Sequence, residues 1–333
     1  MAKIDITYLN GPDIDKLDMS NDEILDAVEA GLRAAGSGQT VIEPRVHLRP
    51  DAAFNGHFNV LRGYVAPLNM AGVKIVGDYV DNYKKGLPSE MAMLNLFDPT
   101  TGMPTAILDA TAITEMRTGA LSALGAKYLA PANPERLGHI GARGTAYWNV
   151  RLIDHLFDLK TIRVHSRRPE SRNAFAEKLS GDLGKTVIAT EDWENCLNGA
   201  DIIVEASRLP EPTPMFKTKW VRKGALVIPY GTMSTLEIDH TDIMDKIFVD
   251  DRGQMNAGPY GALRPHINAG KVSPETVNGE IGEVITGKCD GRKSQDETIL
   301  FWHRGLSTSD IALGAAMLEK AKQMGIGQTL NYA

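Results

Sequence analysis

The sequence predicts an α/β protein in which a doubly wound parallel sheet is joined to a second domain of α+β type. Three observations predict it: a glycine-rich turn at residues 137–146, six short apolar strands alternating with helical segments over 137–249, and strand-like runs without intervening helices over 45–109. A chain of 333 residues is long enough for two such domains and their cores.

The first half opens with Ser20-Asn-Asp-Glu23, a capping box in which Ser20 serves the early backbone N–H groups and Glu23 reaches back. Ile24, Leu25, Val28 and Leu32 follow at helical spacing, and Gly36 and Gly38 end the helix. Strands are expected at 45–49, 58–65, 73–80, 91–97 and 104–108, with Asp98-Pro-Thr-Thr-Gly102 as the hairpin turn between the last two. That half is an antiparallel or mixed sheet. Asp109-Ala-Thr111 introduces a long helix carrying Ile113, Met116, Ala120, Leu121, Leu124 and Tyr128, which ends before Pro131. The domain boundary is placed in Pro131-Ala-Asn-Pro134.

Beyond it, strands are expected at 137–142, 161–165, 187–189, 202–206, 225–230 and 247–249, with helices such as 146–157 and 171–179 between them. Parallel strands need such crossovers, and right-handed connections then give a doubly wound sheet. The turn at Gly141-Ala-Arg-Gly-Thr-Ala146 follows its first strand, where a dinucleotide site belongs. Gly141 and Ala146 hold the first and third fingerprint positions, but Arg143 occupies the second and Gly144 follows it. Arg143 either lies along a pyrophosphate or faces solvent. After Val249 the alternation stops, and a last helix over 311–324 ends at Gly325 and is expected to pack on the first domain.

Composition excludes several classes. Hydrophobic residues make up 43% and charged residues 23%, an ordinary soluble balance, and the net charge of −6 argues against nucleic acid or an anionic membrane surface as partner. No apolar run spans a membrane, and the eight histidines show no metal-ligand spacing. Two distant cysteines and an N-terminus without an apolar leader point to the cytoplasm.

Three cations stand in special settings: Arg45 at a strand start, Lys74 within Gly-Val-Lys-Ile-Val, and Arg117 before the small residues Thr118-Gly-Ala. Alternation puts Lys74 on one strand face with Val76 and Asp78, opposite Val73 and Ile75. The plain alternatives are a solvated face for Lys74 and a surface salt bridge to Glu115 or Asp109 for Arg117.

These residues also carry a resemblance. Gly72-Val-Lys-Ile-Val76, Asp81-Asn82 with Gly86-Leu-Pro88, Leu96-Phe-Asp-Pro99 with Gly102, Arg117-Thr-Gly-Ala120, Gly282-Glu-Val-Ile-Thr-Gly287 and Gly305-Leu-Ser-Thr-Ser-Asp310 make the chain similar, nearly end to end, to the ornithine cyclodeaminase/mu-crystallin family. The resemblance implies a substrate-binding and dimerisation domain, residues 1–130 with 305–333, and a Rossmann dinucleotide-binding domain, residues 131–304. It implies a homodimer, and hydride transfer at the carbon bearing the amino or imino group of a small amino acid.

By that resemblance Arg45 and Arg117 bind the α-carboxylate through the planar guanidinium fork. Lys74 stands at the imine and exchanges its proton. Cofactor contacts fall to Thr118, Gly141, Arg143, Gly144, Thr145, Ser166, Arg167, Ser207, Gly231 and Asp310. His57, Arg62, His303 and Arg304 are candidates for a second substrate carboxylate. The likeness is nearest to members that reduce iminosuccinate to L-aspartate with NADH. The end of the second strand, Val164-His-Ser-Arg-Arg168, lacks an acid for the ribose, and Arg167 and Arg168 there suit a 2′-phosphate, so the residues themselves lean toward NADPH while the likeness favours NADH.

One departure bears on the reaction. Cyclodeaminases and alanine dehydrogenases of the family carry an Asp two residues after a strand-end Gly, where this chain reads Tyr230-Gly-Thr-Met-Ser-Thr-Leu-Glu237, with Met233 or a neighbour in its place. Imine reduction is therefore preferred over cyclodeamination of ornithine, with an alanine dehydrogenase or ketimine reductase activity as the alternative, and the joint presence of Lys74, Arg45 and Arg117 speaks against a non-catalytic binding role of mu-crystallin type.

Overall fold

A computed structural model describes residues 3–333. Two compact units make up the chain: one runs to Arg117 and resumes at Gly305, the other runs from Thr118 to Arg304. In chain order the first contains β1 (Asp5–Leu9), α1 (Gly11–Lys16), α2 (Asn21–Gly36), β2 (Thr40–Leu48), β3 (Gly56–Val65), β4 (Met70–Tyr79), β5 (Glu90–Phe97) and β6 (Pro104–Asp109). Helix α3 (Thr111–Leu129) carries the chain into the second unit. There follow β7 (Arg136–Ile140), α4 (Ala146–Phe157), β8 (Thr161–His165), α5 (Pro169–Leu183), β9 (Val187–Ala189), α6 (Trp193–Leu197) and β10 (Ile202–Glu205). The unit is completed by β11 (Leu226–Pro229), β12 (Lys246–Val249), α7 (Arg264–Asn268), β13 (Gly279–Glu280), α8 (Ile281–Ile285) and β14 (Ile299–Trp302). The chain then returns to the first unit with α9 (Ser307–Met324) and β15 (Gln328–Asn331).

The first unit is a seven-stranded sheet in the order β15-β1-β6-β5-β4-β3-β2, antiparallel except for the β1–β6 pair. The Ser20 hydroxyl accepts from the Glu23 N–H at 3.2 Å and the Glu23 carboxylate from the Ser20 N–H at 2.7 Å, so the capping box starts α2 as written. Strand β2 begins five residues before its expected start. Pro44 breaks the alternation, but a bulge between Glu43 and Val46 absorbs it, and β2 is an edge strand where a missing N–H costs little. Helix α9 begins at Ser307, four residues early, and covers one sheet face: Ile311 fills the space left by the absent side chain of Gly72, and Leu94 packs against Gly314.

The second unit is an eight-stranded, all-parallel sheet in the order β13-β12-β14-β11-β10-β7-β8-β9. The six expected strands are all present, and β13 and β14 add two more. Every residue of β10, β11 and β14 is buried, the pattern of strands covered on both faces. The order of connection reverses between β7 and β10, which creates a topological switch point at their carboxyl ends.

The boundary expected at 131–134 lies instead inside α3. Residues beyond Arg117 pack with the second unit, Gly119 against Trp148 of α4 and Gly125 against the Phe301 ring. The proline turn ends the helix without ending the unit.

Candidate active site

Lys74 faces the covered side of the first sheet, in a cross-strand row with Leu61, Leu94 and Leu108. It is 1% exposed, so the solvated-face alternative fails. Its ammonium donates to Asp310 Oδ1 at 2.5 Å and to Thr114 Oγ1 at 3.1 Å. Thr114 in turn donates to the Ala110 carbonyl at 2.8 Å, which fixes the hydroxyl as an acceptor for the lysine. Burial, and then the neighbouring Arg117, push the Lys74 pKa from its ordinary 10.5 down to about 7, with Asp310 opposing them. The lysine is thus poised to give or take a proton near neutrality.

Arg117, on α3, is buried and donates through Nε to the same Asp310 oxygen at 2.8 Å. The surface salt bridge to Glu115 or Asp109 is therefore replaced by a buried pair with a residue on α9. Arg45 follows Pro44 in the β2 bulge, which turns its side chain so that Nη2 donates to the Gly305 carbonyl at 2.7 Å. Gly305 has a φ of 83°, and a Cβ there would overlap the Arg117 guanidinium. Its carbonyl and its bare α-carbon thus seat both arginines, and only glycine does both.

Asp310, expected at the cofactor, has its carboxylate in this lysine cluster instead. Arg62 shares the opposite sheet face with Val73, beside Glu43 at 3.5 Å, because strand parity turns it away from Lys74. His57 lies on the Lys74 face opposite Asp78, about 13 Å along the sheet at 3.3 Å per residue, with its ring 5.6 Å from that of His47. His303 and Arg304 belong to the second unit. His303 bonds the Ser122 hydroxyl at 2.9 Å and stacks on Tyr230, and Arg304 donates to the Gln254 and Ala257 carbonyls at 2.6 and 2.5 Å.

In the second unit the glycine turn sits at the switch point. Gly141 has a φ of 113° and a Cβ on it would lie 3.0 Å from the Ala206 carbonyl, so the first fingerprint position demands glycine. Its N–H donates to the His165 carbonyl at 2.8 Å, and its own carbonyl accepts from His139 Nδ1 at 3.1 Å. His139 is fully buried, and that burial pushes its pKa down to about 4. The neutral ring then accepts from Asn149 Nδ2 at 3.1 Å through Nε2. Asn149 also bonds the Tyr230 hydroxyl, which meets Thr145 Oγ1 at 2.6 Å. A polar chain from His139 to Thr145 therefore holds the turn from beneath.

Arg143 and Gly144 are exposed on that turn, and Gly144 takes a φ of 53°. Ser166, after β8, donates to the Arg168 carbonyl at 3.3 Å, and Arg167 is exposed beside it. Ser207, after β10, donates its N–H to Glu205 Oε1 at 2.8 Å and accepts from Thr232, the residue after Gly231, at 3.3 Å. Glu205 is buried, and burial pushes its pKa up to about 7. Thr118 is buried on α3, but the small residue after it has a packing reason, since Gly119 admits the backbone of Trp148. Thr114, His139, Asn149 and Tyr230 were not singled out in the sequence. A histidine inside an apolar strand is the one signal that could have pointed to the chain beneath the turn.

The comparisons agree on one family. The model of the ornithine cyclodeaminase/mu-crystallin family matches residues 10–325. The Δ1-pyrroline-2-carboxylate reductase of Thermococcus litoralis, solved with NADH and L-proline, is 27% identical with a TM-score of 0.91, covering 98% of this chain and 100% of that one. An archaeal alanine dehydrogenase dimer with bound NAD is 29% identical with a TM-score of 0.91, over 99% of this chain and 100% of that one. The iminosuccinate reductase of Paracoccus denitrificans in complex with NAD+ is 25% identical with a TM-score of 0.87, over 98% and 99%. The chain belongs to the ornithine cyclodeaminase/mu-crystallin family.

Proposed function

We propose that this protein is an oxidoreductase that uses NADH to reduce a small α-imino acid to the amino acid, with iminosuccinate, giving L-aspartate, as the substrate. One observation carries the reaction: a fully buried lysine with a pKa near 7, which shares the Asp310 carboxylate with Arg117 in the first unit. Reduction adds a hydride to the imine carbon and a proton to the nitrogen. The nicotinamide supplies the hydride when bound. Lys74 gives the proton, and Arg117 and Arg45 take the α-carboxylate, so charge that develops at nitrogen is met by a group already in place.

The second unit is the dinucleotide holder in this reading. Gly141, Arg143, Gly144 and Thr145, on the turn that opens α4, would hold the pyrophosphate. Ser166 and Arg167 would hold the adenosine ribose, and Ser207, Gly231 and Thr118 the nicotinamide end. The likeness to structures holding NAD+ or NADH supports NADH, although the tip of β8 offers no carboxylate to reject a 2′-phosphate. The lack of the family's Asp after Gly231, where Met233 or a neighbour stands, and the likeness to the Paracoccus denitrificans enzyme favour iminosuccinate over cyclodeamination.

We also propose a homodimer formed through the uncovered face of the first sheet. Cross-strand pairing aligns Val46, Val60, Ile75 and Met93 in one row and Leu48, Phe58, Gly77 and Met91 in the next. Val46, Leu48, Ile75, Met91 and Met93 are exposed there, a contiguous apolar patch of the kind that marks an interface. Two unpaired cysteines suit a cytoplasmic protein.

The test is a steady-state comparison of iminosuccinate, pyruvate with ammonia, cyclic imines and ornithine, each with NADH and NADPH. The highest kcat/KM is expected for iminosuccinate with NADH. Preference for another imine, for NADPH, or ammonia release from ornithine would each replace the corresponding part of the assignment.

A further inference from the structure

The lysine cluster holds a carboxylate to which the reaction above gives no task. Asp310 stands in the first turn of α9 with no exposed surface. A single oxygen, Oδ1, receives both Lys74 Nζ at 2.5 Å and Arg117 Nε at 2.8 Å, while Oδ2 is buried without a hydrogen-bond partner among the described residues. The charged groups facing Lys74 are Arg117 from α3, Arg45 from β2 and Asp310 from α9, and the polar neighbour is Thr114 from α3. Asp78 and His57 lie about four residues along the same face. Two cations therefore press on the lysine, and one anion answers them.

Charge of that pattern decides the protonation state. In a buried site, two neighbouring guanidinium groups drive an ammonium to release its proton, and an anion in contact restores it. The geometry at Arg117 adds a second effect. With Nε held by Asp310, the guanidinium plane is fixed, and its two terminal nitrogens form the fork that matches a carboxylate.

We propose that Asp310 is the positioning residue of the reaction, which keeps Lys74 protonated as the donor to the imine nitrogen and orients Arg117 for the substrate carboxylate. The proposal rests on the assignment of Lys74 as proton donor. It also accounts for one carboxylate oxygen serving two cations, an arrangement that ties the lysine and the arginine to one rigid point on α9.

The test reads the lysine directly, by side-chain 15N NMR titration of the full chain, with the Lys74 signal assigned from a Lys74→Arg protein. Asp310→Asn is expected to lower the Lys74 midpoint by about one pH unit or more, and Asp310→Glu, which keeps the charge, to leave it within about half a unit of the parent. Asp310→Ser replaces the Asn variant if circular dichroism shows that Asp310→Asn does not fold. The declining limb of the kcat pH profile should move to lower pH with the midpoint. An unchanged midpoint in the neutral variants, or a shift in Asp310→Glu as large as in Asp310→Asn, overturns the proposal. Because the titration needs no turnover, a protein that reduces no imino acid would refute the reaction and not the role of Asp310 in setting the lysine's charge.

Discussion

Lys74 occupies a position where leucines are its cross-strand neighbours, and keeping an ammonium there lowers its pKa from 10.5 to about 7. The sign fixes the pH dependence. A proton donor must start protonated, so kcat/KM for imine reduction should be level below pH about 7 and fall about tenfold per unit above it. Amino acid oxidation needs the neutral lysine and should rise over the same window. Initial rates in both directions check this, and a reductive rate that stays level well into the alkaline range would contradict it. At this scale the sequence showed that Lys74 and Arg117 were unusual, because charges stood among apolar residues. It could not show that they share a carboxylate 236 and 193 positions away, since strand parity gives the two faces of β4 without saying which one is covered.

The elements were legible wherever a local signal was strong. The Ser20 capping box, the Asp98–Gly102 turn and the glycine turn after β7 all stand where local chemistry placed them. β14 was missed because Ile299-Leu-Phe-Trp302 is only four residues long, wholly apolar and without alternation, so no period distinguishes it from a loop anchor. The pairing of β1 with β15 joins the two ends of the chain and has no local signature. Polar contacts beneath the glycine turn were hidden for the same reason, since Tyr230 lies 85 residues from Thr145. The open face of the sheet yields a test of its own. Lysine at Ile75 or Met93 places a charge in the middle of the apolar rows, and light scattering should then report monomer where the parent is a dimer. A parent that is monomeric at micromolar concentration would contradict the interface, and so would variants that stay dimeric.

At the scale of the molecule, the sequence carried the fold class through its alternation and the family through dispersed motifs, and the structure moved the boundary from the proline turn into α3. That shift matters for function. Arg117 is the last residue of one unit and Thr118 the first of the other, so one helix carries both the arginine proposed to bind the carboxylate and an expected cofactor contact. In the proposed reaction Lys74 protonates an imine reduced by NADH. The direct measurement is the rate of NADH oxidation with iminosuccinate by the parent and by Lys74→Ala, alongside the NADH affinity of each. Lys74→Ala is expected to lose at least about a hundredfold in kcat with NADH affinity near that of the parent. Turnover by Lys74→Ala at the parent's rate would contradict it.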